Sequence, residues 1–202
     1  MRVAFLHARQ PDDYALMMLE SVRKHMDVEC LHLTDDSTRE LTGCSVQRLP
    51  WGDNPMIFKM QHLAQLTGDV LILDTDVVVQ SDLSKVFAFP FDVALTWRDG
   101  PIYDPSGKQD VTKIMPFNCG VMWSRSQQFW HDCLMWCQDK PVGWYADQLA
   151  VAAVSPEYHT LRLHCDNFNY TPGSATEDVS MRLAVHYKGN RKAWMKHDLR
   201  TH

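Results

Sequence analysis

The chain has 202 residues, which is long enough for one sizeable domain with its own hydrophobic core. With 45% hydrophobic and 22% charged residues, the composition is that of an ordinary soluble globular protein. The net charge of −5 gives no overall electrostatic case for nucleic-acid binding. Apolar runs such as residues 149–154 are far shorter than the roughly 20 residues that a membrane-spanning helix needs, so no transmembrane segment is expected.

The first half of the chain alternates predicted strands with predicted helices. Buried strands are predicted over residues 2–7, 28–33 and 69–73, and amphipathic helices over residues 11–26 and 55–66. Strands separated by helices are typical of an α/β architecture in which the helices cover both faces of a mostly parallel sheet. This half therefore predicts a Rossmann-like layer.

The second half is more mixed. Residues 81–83 predict a capped start for a short helical turn that reaches residue 87. The remaining predicted elements are strands over 91–97, 117–123 and 183–186, helices over 126–139 and 145–154, and a polar surface loop over 102–113. No linker divides the chain, so we expect one compact domain.

The cysteines and the C-terminus bear on compartment and partners. Six cysteines occur without a CxxC pair, and the N-terminal sequence MRVAFLHARQ lacks the features of a signal peptide, so we expect reduced thiols in a cytoplasmic protein.

The C-terminal stretch 186–202 is basic, which is typical of a solvated end but also suits phosphate or an acidic partner. Its cations are Lys188, Arg191, Lys192, Lys196 and Arg200, against the single acid Asp198.

The stretch LILDTDVVV, residues 71–79, places two carboxylates at the end of the most apolar predicted strand. Two like charges this close are unfavourable unless a cation or hydrogen-bond donors neutralise them. In an extended chain, Asp74 and Asp76 project to the same side, where they can bind one hard divalent cation such as Mg²⁺ or Mn²⁺. The alternative is a turn in which both carboxylates only cap backbone amides.

Two enzymatic chemistries are compatible with this motif. An apolar strand that ends in DxDx(T/V) is typical of aspartyl-nucleophile phosphohydrolases, for which Glu177, Asp178 and Lys113 are the candidate partners. A DxD motif is also typical of nucleotide-sugar glycosyltransferases, in which the carboxylates hold a metal–diphosphate complex. The segment HYKGNRKAW, residues 186–194, favours the second, because it offers an imidazole for the metal, a glycine for close approach and a lysine for phosphate.

Four segments together resemble glycosyltransferase family 8, the glycogenin-like galactosyl- and glucosyltransferases with the GT-A fold. In chain order they are GDVLILDTDVVVQSDLSKVF at 68–87, FNCGVMW at 117–123, YADQ at 145–148 and HYKGNRKAW at 186–194. The ordered set is specific, whereas each segment alone is not. The resemblance implies a GT-A nucleotide-sugar-binding domain over residues 1–202, with a nucleotide-sugar half at 1–97 and an acceptor and metal-completing half at 98–202.

The resemblance also implies a metal site and a donor site. Asp74, Asp76 and His186 match the family's ligands for Mn²⁺ or Mg²⁺. The other donor-binding positions are His7 and Ala8 at the base and ribose, Thr75 within the DxD motif, Gly189 and Lys192 at the diphosphate, and Lys59 as a basic donor-side residue.

Three further residues match catalytic positions of the family. Asn118 is implied to contact the donor sugar or the acceptor, and Asp147 with Gln148 to lie under the reacting sugar carbon. The implied activity is transfer of a hexose from a UDP-sugar to an acceptor hydroxyl with retention of configuration, by front-face attack. A third hypothesis is a protein that binds a nucleotide sugar without turnover.

The sequence departs from the family pattern in several places. Ala193 stands where the family usually has proline, and Leu149 where an acid is often found. The chain is also shorter than most members, mainly in the acceptor-binding elements. A glycan, a lipid-linked saccharide, a protein hydroxyl and a modified DNA base therefore all stay open as acceptors.

Overall fold

The structure is a computed structural model that describes the backbone of residues 1–52, 54–103, 108, 110–140, 143 and 145–201, with side chains as far as residue 196. The first half of the chain carries five strands and two helices. They are β1 (Arg2–Leu6), α1 (Asp13–His25), β2 (Glu29–Thr34), β3 (Ser45–Arg48), α2 (Pro55–Leu63), β4 (Val70–Leu73) and β5 (Val77–Val79).

The second half begins with a 3₁₀ turn at Leu83–Ala88 and ends in a helix. Its further elements are β6 (Val93–Trp97), β7 (Phe117–Ser124), α3 (Gln127–Gln138), α4 (Ala146–Val154), β8 (Thr160–His164), α5 (Cys165–Phe168), β9 (Ala184–His186) and α6 (Lys192–Thr201). Every strand and helix predicted from the sequence is confirmed within a few residues. The sequence prediction missed β3, β5 as a separate strand, β8, α5 and α6.

Seven strands form one central sheet in the order β3-β2-β1-β4-β7-β6-β8. Strand β7 runs antiparallel to its neighbours β4 and β6, and the other neighbouring pairs are parallel. Strands β5 and β9 form a separate antiparallel ribbon. The predicted α/β fold with a mostly parallel sheet is therefore confirmed, and the sheet takes strands from both halves of the chain.

Side chains alternate between two hydrophobic clusters along the central strands, because successive strand residues face opposite sides of a sheet. On β4, Leu71 and Leu73 join the cluster that contains the apolar face of α1, whereas Val70 and Ile72 join the cluster that contains α2, α3 and α4. A sheet that is apolar on both faces must be covered on both. Helices therefore cover both faces of the sheet, as predicted.

Local signals explain where the helices around the sheet begin. The Asn54 side chain accepts hydrogen bonds from the amides of Met56 and Ile57 at the start of α2, and Ser126 caps α3 in the same way through Phe129. Such caps satisfy amides that have no partner within the helix. Both helices thus have a defined first turn.

The basic C-terminus is not simply a solvated tail. It forms α6, in which Met195 is fully buried and Lys196 pairs with Asp13 of α1 at 3.2 Å. The predicted loop at 102–113 lies partly outside the described residues. Its described ends meet, since the Val111 amide donates to the Ile102 carbonyl at 2.6 Å.

Candidate active site

The two aspartates of LILDTDVVV lie in a tight turn that joins β4 to β5. The Val77 amide donates to the Asp74 carbonyl at 3.2 Å, and the Asp74 amide donates to the Gly120 carbonyl of β7 at 2.9 Å. The expectation that an extended chain aligns the two carboxylates is therefore wrong. The turn brings them together instead, and it sends the chain into β5, where Val77 pairs with His186 of β9.

Asp74, Asp76 and His186 form a cluster in which the candidate ligand atoms all lie within 4.8 Å of one another. The His186 Nε2 atom is 3.1 Å from Asp76 Oδ1 and 3.9 Å from Asp74 Oδ2. Two carboxylates and one imidazole are a donor set that suits Mn²⁺ and accepts Mg²⁺. These three side chains therefore fit the divalent cation that the sequence predicts.

Asn169 fixes the orientation of the His186 ring. Its amide nitrogen donates to Thr96 Oγ1 at 2.7 Å and to the Asn118 carbonyl at 3.1 Å, so its oxygen faces His186 Nδ1 at 2.9 Å as an acceptor. The Nδ1 atom consequently carries the proton, and Nε2 is the atom turned toward the two aspartates. This arrangement is the usual outer support of a metal-binding histidine.

Gly120 makes room for the same imidazole. A Cβ atom at this position would lie 2.3 Å from both Cε1 and Nδ1 of His186, far inside the contact distance of two heavy atoms. The glycine of the FNCG segment therefore lets the ring approach the backbone of β7 closely. No local sequence signal points to this role.

The aspartates are well neutralised without a bound cation. Lys59 Nζ is 3.0 Å from Asp74 Oδ1, and Lys192 Nζ is 3.2 Å from Asp76 Oδ2. Burial opposes ionisation of Asp76, but His186 and Lys192 outweigh it and hold its pKa well below the usual range. The two carboxylates therefore already have the neutralising partners that like charges at this spacing require.

Lys59 connects the metal cluster to the start of α4. Its ammonium group also lies 3.2 Å from Asp147 Oδ2, and the side chains of Lys59 and Asp147 are both more than nine-tenths buried. Burial alone would lower the pKa of Lys59, but the two carboxylates raise it above its usual value. A buried lysine between two acids stays charged and holds both in place.

Gln148, the residue after Asp147, is held by Arg98 at the end of β6. The guanidinium donates to the Gln148 side-chain oxygen at 2.6 Å and to the Met115 carbonyl at 3.2 Å. The other carboxylate oxygen of Asp147, Oδ1, accepts from the backbone N–H of Gln148 at 2.8 Å. Asp147 and Gln148 are thus both oriented before any ligand binds.

These groups line one cavity of about 610 Å³. Ten predicted site residues line it, namely Lys59, Asp74, Thr75, Asp76, Asn118, Asp147, Gln148, His186, Gly189 and Lys192. His7 and Ala8 are buried and do not line it, whereas Leu6 and Gln10 beside them do.

Three cations that were not predicted as site residues also line the cavity. They are Arg98, which follows a predicted strand, and Lys188 and Arg191, which lie in the basic stretch after β9. Burial, together with the nearby charge of Arg98, lowers the pKa of Lys188 to about 8. The sequence signal for Lys188 was its place within HYKGNRKAW.

Comparison with protein-family models and with curated proteins finds no match. Solved structures match in fold. The galactosyltransferase LgtC, solved with donor and acceptor sugar analogues, superimposes with a TM-score of 0.62 at 14% identity, over 94% of this chain and 88% of LgtC. A glycosyltransferase involved in glycosylation of the major capsid of PBCV-1 gives 0.66 at 14% identity over 100% of both chains.

GlyE of Streptococcus pneumoniae TIGR4, in its apo form, gives a TM-score of 0.67 at 15% identity over 98% of this chain and 60% of GlyE. The likeness to these glycosyltransferases establishes the fold, which is the GT-A fold that the sequence predicts. Within the described part of the chain, the helices are all too short or too polar to cross a bilayer.

Proposed function

We propose that the protein is a metal-dependent glycosyltransferase of the family 8 type, which moves a hexose from a UDP-sugar to an acceptor hydroxyl with retention of configuration. One observation carries this proposal. The Asp74, Asp76 and His186 cluster shares a cavity with Asp147 and Gln148, in a fold that solved glycosyltransferases also have. Metal ligands and sugar-facing groups around one space are what such a transfer needs.

Asp74, Asp76 and His186 would hold Mn²⁺ or Mg²⁺, which offsets the charge that develops on the departing nucleoside diphosphate. Lys192, already 3.2 Å from Asp76, is placed to contact the same diphosphate as a point charge. Gly189 has a φ of 64°, a conformation that favours glycine, and it leaves the backbone of this turn open to the ligand. His7 and Ala8 would receive the base and ribose through their backbone.

The contacts of Asp147 argue against a covalent sugar intermediate and so favour front-face attack as the route to retention. One of its oxygens accepts from Lys59 and the other from the backbone amide of Gln148, and these hydrogen bonds make both oxygens weaker nucleophiles. Asp147 and Gln148 would instead stabilise positive charge at the reacting carbon. Asn118 lines the cavity nearby, where it can contact the sugar or the acceptor.

The phosphohydrolase alternative is less well supported. It requires a late acid and a lysine near the aspartates, yet Glu177, Asp178 and Lys113 do not line the cavity in the part of the chain that the structure describes. Glu177 accepts from Tyr170 and from the Gly173 amide.

The same proposal includes a reducing compartment such as the cytoplasm. All six cysteines are free thiols, and Cys30, Cys119, Cys133 and Cys137 are buried. The functional division into halves 1–97 and 98–202 belongs to the proposal as well, since the cavity takes its metal ligands from both.

An activity assay with Mn²⁺ and a panel of UDP-sugars tests the function. We expect Asp76→Asn to keep the fold and to lower the rate of UDP release by about a thousandfold. The substitution removes the negative charge of a proposed metal ligand that also pairs with His186 and Lys192. Asp27→Asn, at an exposed position, is the matched control and should leave the rate unchanged. The anomeric configuration of the product, read by NMR, tests retention.

Three outcomes would redirect the assignment. Full Mn²⁺-dependent activity of Asp76→Asn would contradict the metal site. Hydrolysis of an aryl phosphate without any response to nucleotide sugars would favour the phosphohydrolase. If UDP binds in the presence of Mn²⁺ but no pair of UDP-sugar and acceptor yields free UDP, the protein is better described as one that binds a nucleotide sugar without turnover.

A further inference from the structure

The cavity holds more positive than negative side chains. Five basic residues line it against three carboxylates, those of Asp74, Asp76 and Asp147. Two of the bases, Lys59 and Lys192, are paired with these carboxylates. For the other three, Arg98, Lys188 and Arg191, none of the carboxylates that the structure describes lies within 4.0 Å.

Arg98 makes only neutral contacts. Its two terminal nitrogens donate to the Gln148 side chain and the Met115 carbonyl, and its buried Nε atom has no partner among the described residues. Buried guanidinium groups are ordinarily paired with an anion, because desolvating an unpaired charge is costly. Arg98 is half-buried, and none of the described carboxylates lies within 4.0 Å of it.

Lys188 is also half-buried, and within the described chain its ammonium group makes no hydrogen bond or ion pair. It lines the same cavity as Arg98. Arg191 also donates to a neutral group, the Pro172 carbonyl at 2.7 Å, but its guanidinium lies over the Trp194 ring as well. Arg98 and Lys188 are therefore the two cavity cations that have, among the described residues, neither a carboxylate within 4.0 Å nor an aromatic ring to stack on.

Binding of the proposed UDP-sugar donor with its metal ion does not remove the excess of positive charge in the cavity. The charge of a divalent cation and that of a diphosphate diester largely cancel when they bind together. A neutral sugar and a neutral acceptor would leave Arg98 and Lys188 uncompensated beside the reaction. A ligand with one more negative group would compensate them.

We propose that Arg98 and Lys188 form an anion subsite, which binds a carboxylate or phosphate group on the saccharide that is transferred or that accepts it. The contact between Arg98 and Gln148 places the guanidinium side of this subsite beside the residues assigned to the reacting sugar. The inference rests on the proposed function and deepens it, because it assigns an acidic saccharide to the same cavity.

Calorimetric titration of the full chain tests the subsite in two arms. In the donor arm, protein with Mn²⁺ is titrated with UDP-glucose and with UDP-glucuronate. In the acceptor arm, protein saturated with Mn²⁺ and UDP is titrated with methyl glucoside, methyl glucuronide and glucose 6-phosphate. We expect the acidic ligand to bind about tenfold more tightly than the neutral one in one of the arms, which identifies the source of the anion.

Lys188→Met should abolish this preference, so that the acidic and the neutral ligand bind with about equal affinity. Lys196→Met, which removes the same charge from the exposed side of α6, is the control and should keep the preference. Arg98→Lys keeps the positive charge but loses the guanidinium fork, so it should weaken the preference without abolishing it.

Two results would overturn the subsite. One is the absence of any preference for acidic ligands in both arms, and the other is an equal loss of affinity for UDP itself in Lys188→Met, which would assign the lysine to the diphosphate. If UDP with Mn²⁺ fails to bind the wild-type protein, the proposed function fails instead. Methyl glucuronide and glucose 6-phosphate are then titrated against the protein alone. If the wild type and Lys188→Met bind these ligands equally, the subsite is overturned independently of the proposed function.

Discussion

The two ends of the cavity handle charge in opposite ways. At the metal end, formed by Asp74, Asp76, His186 and Lys192, each carboxylate already has a basic partner within 3.2 Å. At the sugar end, Arg98 contacts Gln148 but has no carboxylate within 4.0 Å in the described part of the chain, and the same holds for Lys188 on the cavity wall. A paired site keeps its geometry before a ligand binds, and an incoming cation must replace internal partners there. An unpaired site depends on the ligand to supply the missing charge.

Lys59 joins the two ends, so its removal should have the largest effect. Lys59→Met leaves the buried carboxylate of Asp147 and its neighbour Asp74 without their shared cation. We expect a loss of about 3–5 kcal/mol in the free energy of unfolding, because an isolated buried charge is left behind. Urea denaturation in the presence of a chelator measures this.

Two further variants separate the charge effect from other causes. Lys59→Met combined with Asp147→Asn should recover at least about 1 kcal/mol, since the second change removes the orphaned charge. Lys85→Met, at an exposed position, should leave the midpoint unchanged. A cost below about 1 kcal/mol for Lys59→Met would show that the two ends are not coupled through this lysine.

The sheet and much of the site could be predicted because their signals are local. Apolar runs and helical periodicity identify β1, β2, β4 and the helices between them, and the residues after β4 are chemically distinctive. The short strands were missed for a physical reason. Strand β8 is only partly buried, with Arg162 exposed between partly buried neighbours, so its sequence TLRLH carries no clear apolar run.

The long-range contacts of the site left no such local signal. That Asp74 and Asp76 lie in a turn depends on the pairing of β5 with β9, more than a hundred residues later in the chain. Asn169 follows a four-residue helix that the sequence pattern does not show. Its partners Thr96, Asn118 and His186 come from three separate strands, and only the folded sheet brings them together.

Gly120→Ala should disrupt the metal end and spare the sugar end. The new methyl group would occupy the place of the His186 ring, and β7 cannot easily retreat because the Gly120 carbonyl accepts from the Asp74 amide. We expect the affinity for Mn²⁺ to fall about a hundredfold, measured from free Mn²⁺ by electron paramagnetic resonance.

Gly52→Ala is the matched control, since a Cβ atom there meets nothing within 4 Å. It should bind Mn²⁺ like the wild type. Unchanged Mn²⁺ affinity in Gly120→Ala would mean that His186 is not a ligand in this position, and the metal end would then rest on the two aspartates alone.

Asn169→Ala should weaken the metal end by the smallest amount, because it changes the support of a ligand and not the ligand itself. Without the Asn169 oxygen, the His186 ring is free to rotate and to place its proton on either nitrogen, so fewer molecules present Nε2 to the cation. We expect Mn²⁺ affinity to fall about tenfold in the same resonance measurement. Asn167→Ala, on the exposed side of α5, should have no effect. An equal loss in both variants would indicate a general disturbance of α5, whereas an unchanged affinity in Asn169→Ala would show that β7 alone holds the imidazole in place.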